Sequence, residues 1–177
     1  MKLAALVRHY IRRWRPKAKE ELDWFRQQAS LDAAISVAAL AINAKGKRYS
    51  HQYKIPRSAI PKALVRLLSA RDKIKHCGDF DELHDMVERV LADVRGIGKL
   101  YVYDTALRIG AKQKHLPERI YLHAGTRLGA RALGIDSTKK FVSISECPRE
   151  LLSLEPHEIE DFLCIYKARL RGVVREV

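Results

Sequence analysis

The chain has 177 residues, of which 47% are hydrophobic, and carries a formal net charge of +13 from 34 Lys and Arg against 21 Asp and Glu. That length fits one domain, or a main body with small terminal additions, and that hydrophobic content excludes an intrinsically disordered chain. The positive balance, recurring from Arg8 to Arg175, suits a polyanionic partner, with nucleic acid favoured over an anionic membrane surface or a merely basic soluble protein. Cys77, Cys147 and Cys164 are odd in number, widely separated and without a CxxC pair. They argue for reduced thiols in the cytoplasm and against a disulfide framework or a sulfur-rich metal site. The longest apolar run, Val37 to Ile42, is too short to span a bilayer. The N-terminal "MKLAALVRHYIRRWR" has charge where an export signal needs a continuous apolar stretch.

Taken in chain order, Leu3, Val7, Tyr10, Ile11 and Trp14 predict an amphipathic helix with Arg8, Arg12, Arg13 and Arg15 on its other side. Pro16 starts a second helix reaching about Gln28. Ser30 caps a third, "LDAAISVAALAINA", whose alanine-rich body predicts burial on most sides. Gly46 breaks the polar loop "NAKGKRYSHQYKIP", where Lys45, Lys47 and Arg48 lie among histidine and tyrosines. That composition suits phosphate contacts with aromatic stacking, and an ordinary exposed loop explains it almost as well. A helical stretch follows from Pro56, with Pro61 near its start or dividing it.

Asp79 and Glu82 stand at capping-box spacing before the stripe Phe80, Leu83, Val87, Val90, Leu91 and Val94. That helix runs into "RGIG", after which a helical pattern resumes to about Gly110. "KQKHLPERIY" reads as a connection, and a helix begins near "HAGTRLGARALG". Its leading glycines and Thr126, followed by Arg127, leave room for a ligand or a neighbouring helix to approach closely. "KFVSIS" is a short strand without an evident partner. "EPHEIEDFLCIYKARLRG" reads as a complete final helix, opened by Pro156 and ended by Gly172. The expected whole is an all-α chain of about eight helices: basic N-terminal helices over 1–29, a core over 30–134 with a hairpin at 79–110, and a C-terminal helical region over 135–177.

The turn "VRGIGK" combines two glycines with the start of a helix, so its backbone amides can hold a phosphate at the positive end of the helix dipole. Ile97 would plug the turn into the core, while Arg95 and Lys99 add charge. With Val94, Arg95, Gly96, Ile97 and Gly98 in this order, the chain resembles the helix-hairpin-helix DNA glycosylases, the superfamily of endonuclease III and the 8-oxoguanine and mismatched-adenine glycosylases. The order of elements from about Leu31 to Leu133 is similar as well. The resemblance implies a helix-hairpin-helix bundle acting, as a monomer, on double-stranded DNA with a modified base. It also implies a wedge residue at Asn43 or Lys45, in the loop after the first core helix.

Three departures from that family shape the expectation. Leu100 stands where lyase-competent members carry a lysine nucleophile, so the resemblance implies base excision without backbone cleavage. No group of four cysteines follows, so no iron–sulfur cluster, other metal or cofactor is expected. The family's catalytic Asp is missing from "YLHAGT", where His123 is the nearest titratable residue. Asp104 lies four residues after Leu100, on the helix face that the family turns toward the flipped base.

Asp104 is therefore the first catalytic candidate, to steady positive charge on the sugar or activate water, with His123 as proton carrier. The plain alternative for Asp104 is an ion pair with Arg108, four residues later. Tyr101, Tyr103 and Tyr121, with Leu100, are candidates for a base pocket, although tyrosines at helical spacing more often fill core or rim positions. The functional expectation is a monofunctional glycosylase, with glucosylated hydroxymethylcytosine of viral DNA as its target in antiphage defence. The alternatives are a non-enzymatic DNA-binding module and an RNA-binding protein.

Overall fold

The computed structural model describes residues 2–172; Met1 and Arg175 lie outside them. It is mostly helical, as the pattern predicts, with nine α-helices and one two-stranded sheet among the described residues. The chain forms two compact units, one of Met1–Ala18 with Pro117–Val177, the other of Lys19–Leu116. No helix among the described residues is long and apolar enough to cross a membrane.

The unit of the two chain ends is built on α1 (Leu3–Arg13), α8 (Ala124–Ala132) and α9 (Pro156–Tyr166). The apolar face of α1 buries Leu3, Leu6, Val7 and Tyr10 in one cluster with Ile159, Phe162, Leu163 and Tyr166 of α9. Two strands not paired on sequence meet here: β1 (Ile120–Tyr121) and β2 (Phe141–Val142) are antiparallel, with Ile120 opposite Val142. The final helix stops at Tyr166, and Gly172 ends a separate short 3-10 turn. Buried Glu158 answers Arg15, whose Nε and Nη2 each lie 2.7 Å from its carboxylate, a two-point charge-assisted contact.

The glycines that open α8 serve helix packing rather than a ligand. A Cβ at Gly129 would collide with the Leu163 carbonyl of α9, and one at Gly125 would come 2.7 Å from Cys164 Sγ.

The other unit carries α3 (Leu31–Ala39), α4 (Ala59–Ser69), α5 (Arg71–Lys75), α6 (Phe80–Leu91) and α7 (Lys99–Gln113). It also holds most of α2 (Arg15–Arg26), which stops short of Gln28. The caps read from sequence are present, with Ser30 Oγ accepting from Ala33 N at 3.1 Å and Asp79 Oδ1 from Glu82 N at 2.8 Å. Glu82 reaches back one residue further than a capping box requires, accepting from Gly78 N at 2.9 Å. Pro61 sits in the first turn of α4, where its missing N–H costs nothing, so the helix is continuous.

Helix α3 ends earlier than its alanine run suggests, because Ala41 takes a left-handed φ of 55°. Helix α7 instead runs past Gly110 to Gln113, where left-handed Lys114 (φ 65°) ends it. Gly110 is not a terminator: the His115 carbonyl occupies the space where its Cβ would be, and His115 N donates to Gly110 O at 2.8 Å.

Gly129 offers a sign test of this packing. Helix propensity favours Gly129→Ala by about 1 kcal/mol, whereas overpacking against a backbone carbonyl costs about 1–3 kcal/mol. Packing should win, so chemical denaturation should show a lowered midpoint for Gly129→Ala; an unchanged or raised midpoint contradicts this account of the α8–α9 contact.

Candidate functional site

Between α6 and α7 the chain turns within seven residues. Val94, 5% exposed, is the apolar plug of this turn. The sequence assigns that role to Ile97, which is only half-buried; Val94, two residues before Gly96, packs inward instead, and Ile97 N closes the turn by donating to Val94 O at 3.1 Å. Gly96 has φ +94° and its hydrogen faces Pro56, 2.7 Å from where a Cβ would stand. Gly98 is extended and opens α7 without any side-chain cap, leaving the first-turn amides as donors for an outside acceptor. Arg95, Gly96, Gly98 and Lys99 are exposed.

Arg95 also borders a surface pocket of about 410 Å³ with Pro56, Ser58, Lys62, Arg66 and Asp93. Lys62 and Arg66 were not singled out from sequence; their i,i+4 spacing on α4 was the available signal. Arg66 is turned toward Asp93, with Nη1 2.5 Å from Oδ1.

The loop after α3 is a built structure. Ile42 and Arg48 form an isolated antiparallel bridge, and Asn43 Oδ1 accepts from Lys45 N at 2.9 Å and Lys47 N at 3.2 Å. Of the two wedge candidates, Asn43 thus shapes the turn, while Lys45 stands exposed near its tip beside exposed Lys47. Arg48 points inward, donating to Gln52 O at 2.6 Å and Ile55 O at 3.3 Å. Those bonds hold a 3-10 turn, Ser50–Gln52, that presents two adjacent side chains to α7.

Asp104 receives them. His51 Nε2 lies 2.8 Å from Asp104 Oδ2, and Gln52 Nε2 donates to the same oxygen at 2.6 Å. Arg108 Nη2 stands 3.6 Å away, the ion pair that the helix spacing allows. The Asp104 side chain is 15% exposed and that of His51 47%, so a mostly buried carboxylate meets solvent beside a half-open imidazole. Arg108 itself is buried, 3.6 Å from Glu21 of α2, with its guanidinium 3.9 Å above the Tyr49 ring and 5.8 Å from that of Phe25. Burial pushes the Tyr49 phenol well above its usual range, with the Arg108 charge opposing. His51, Gln52 and Tyr49 are the residues that sequence reasoning did not assign to Asp104.

The remaining candidates have packing roles. Tyr101 is 2% exposed, donates to Ala39 O at 2.5 Å, and has its phenol pushed up to about 12 chiefly by burial. Leu100 is half-buried. Tyr121 is buried in the sheet, its ring 5.8 Å from that of Phe141.

His123 belongs to the other unit. It is the N-cap residue of α8, its backbone N donating to Thr126 Oγ1 at 2.7 Å and its Nε2 bonded to Glu160. Thr126 is fully buried in that cap, returning its hydroxyl to His123 O at 2.9 Å, and Arg127 bonds to Ser137 O.

The two hairpin glycines separate strain from surface. Gly96→Ala meets both a left-handed φ and Pro56, so it should lower stability by about 1–3 kcal/mol in denaturant titrations. Gly98→Ala has open space and an extended backbone and should stay within about 0.5 kcal/mol of the parent. Equal losses at both positions contradict this geometry. Set against known proteins, the chain matches no described family, no curated sequence and no solved structure.

Proposed function

We propose that the protein is a monofunctional DNA glycosylase, which turns a modified base out of duplex DNA and hydrolyses its N-glycosidic bond. The observation that carries this reading is the Asp104 cluster: a carboxylate 15% exposed, held by His51 and Gln52, on the helix that opens at Gly98. A carboxylate fixed in advance at the edge of a low-dielectric region stabilises the positive charge that develops on the sugar as the base departs.

His51 is the proton partner in this proposal, in place of His123, whose Nε2 is engaged by Glu160. With Nε2 toward Asp104, the imidazole takes a proton from the attacking water through Nδ1 as the water oxygen bonds to the sugar carbon. The base leaves with the electron pair of the broken bond and is protonated from solvent. Leu100 in place of a lysine nucleophile keeps the reaction at hydrolysis. The uncapped first turn of α7, with exposed Arg95 and Lys99, suits a backbone phosphate, and exposed Lys45 and Lys47 suit a neighbouring one. Glucosylated hydroxymethylcytosine in viral DNA is the substrate we favour, in a defence role in the cytoplasm.

A second reading has one observation of its own. Asp104 Oδ2 is already shared by His51, Gln52 and Arg108, as a structural ion-pair network would have it, and the hairpin would then serve a DNA-binding module without catalysis.

Excision assays separate the two readings. DNAs carrying different modified bases, phage DNA included, should yield alkali-sensitive abasic sites, and Asp104→Asn should slow the reaction at least about 100-fold while DNA binding persists. If every substrate stays intact while binding is tight and falls steeply with salt, the module reading replaces this one.

A further inference from the structure

Helix α6 gathers three metal-competent side chains apart from the Asp104 cluster. His84, Asp85 and Glu88 each offer one ligand atom, and these atoms all lie within 4.8 Å of one another. We infer that they bind one divalent transition-metal ion, with Zn²⁺ as the reference species, on the first helix of the hairpin. This inference is independent of base excision.

The helix itself produces the arrangement. Residues four apart share a face, so Glu88 lies one turn along from His84, and Asp85 adjoins His84 in sequence. His84 Nδ1 and Asp85 Oδ1 are 3.5 Å apart. A charge-assisted hydrogen bond between such groups is shorter, about 2.7–2.9 Å, whereas two ligands on a tetrahedral ion with bonds of about 2.1 Å stand about 3.4 Å apart. At 3.5 Å the two atoms make a long hydrogen bond, close to the separation of two ligands on one ion, so a bound ion would take the place of that contact with a small movement of the carboxylates.

The anchoring ligand is already oriented. His84 is 4% exposed, and its ring lies 6.3 Å from that of Phe80, which in turn meets Tyr103 of α7 edge-on at 5.9 Å. Asp85 is exposed and Glu88 half-buried, so an ion can enter from solvent without opening the core. Two carboxylates balance the charge of a dication, and the imidazole nitrogen favours a transition metal over Mg²⁺ or Ca²⁺, which take oxygen ligands. Three protein ligands leave a fourth position for water.

Calorimetric titration of the chelator-treated full-length protein with Zn²⁺ should show one site per chain, and Co²⁺ in its place should give the visible absorption of a four-coordinate ion. Asp85→Asn and Glu88→Gln should each weaken Zn²⁺ binding at least tenfold while leaving the metal-free melting temperature unchanged, and excess Mg²⁺ should not compete. The inference is overturned by an absence of saturable binding, by undiminished binding in both variants, or by equal competition from Mg²⁺.

Discussion

A guanidinium with almost no access to water has to find its countercharges inside the protein, and Arg108 sets this condition for the Lys19–Leu116 unit. Burying such a charge costs several kcal/mol unless it is paired and its protons are used. Glu21 and Asp104 supply negative charge at 3.6 Å each, and the rings of Tyr49 and Phe25 supply π faces. These groups come from α2, from the loop after α3 and from α7 itself. Arg108 Nη1 has no hydrogen-bond partner among the described residues, so these contacts balance its charge rather than use every proton. Balancing that charge joins three parts of the chain that are distant in sequence, setting the loop against the helix that carries Asp104.

Helix α7 acts as a ruler between the turn and the carboxylate. Six residues separate Gly98 from Asp104, about 9 Å along the axis at 1.5 Å per residue. In the proposed reading this spacing places a phosphate grip at one end and an acid part-way along the same rigid element. The loop completes the acid: Arg48 ties down the 3-10 turn, and the turn delivers His51 and Gln52 together. Losing the Arg48 contacts would thus disturb Asp104 without touching it.

Much of this was legible in the sequence because it is local. The caps at Ser30 and Asp79 and the apolar stripe of α6 depend on residues three or four apart, and the i,i+4 relation of Asp104 to Arg108 is read directly from spacing. What escaped depends on distant partners. His51 meets Asp104 across 53 positions, and a two-residue strand such as Ile120–Tyr121 carries too few residues to show a period. Glycine misled in a specific way. Gly110 looks like a helix terminator, yet it lies inside α7, where its missing Cβ admits the His115 carbonyl. Similarly, Gly125 and Gly129 within α8 make room for α9, and His123, which caps that helix, is drawn into a bond with Glu160.

The central claim is that Asp104 faces the positive charge of a sugar losing its base. A DNA duplex carrying a cationic pyrrolidine at one abasic position, compared with the same duplex carrying a neutral tetrahydrofuran, measures this in binding alone. The account predicts that the cationic duplex binds at least about tenfold tighter and that Asp104→Asn removes the difference. Equal affinity for the two duplexes, or a preference that survives Asp104→Asn, would contradict it.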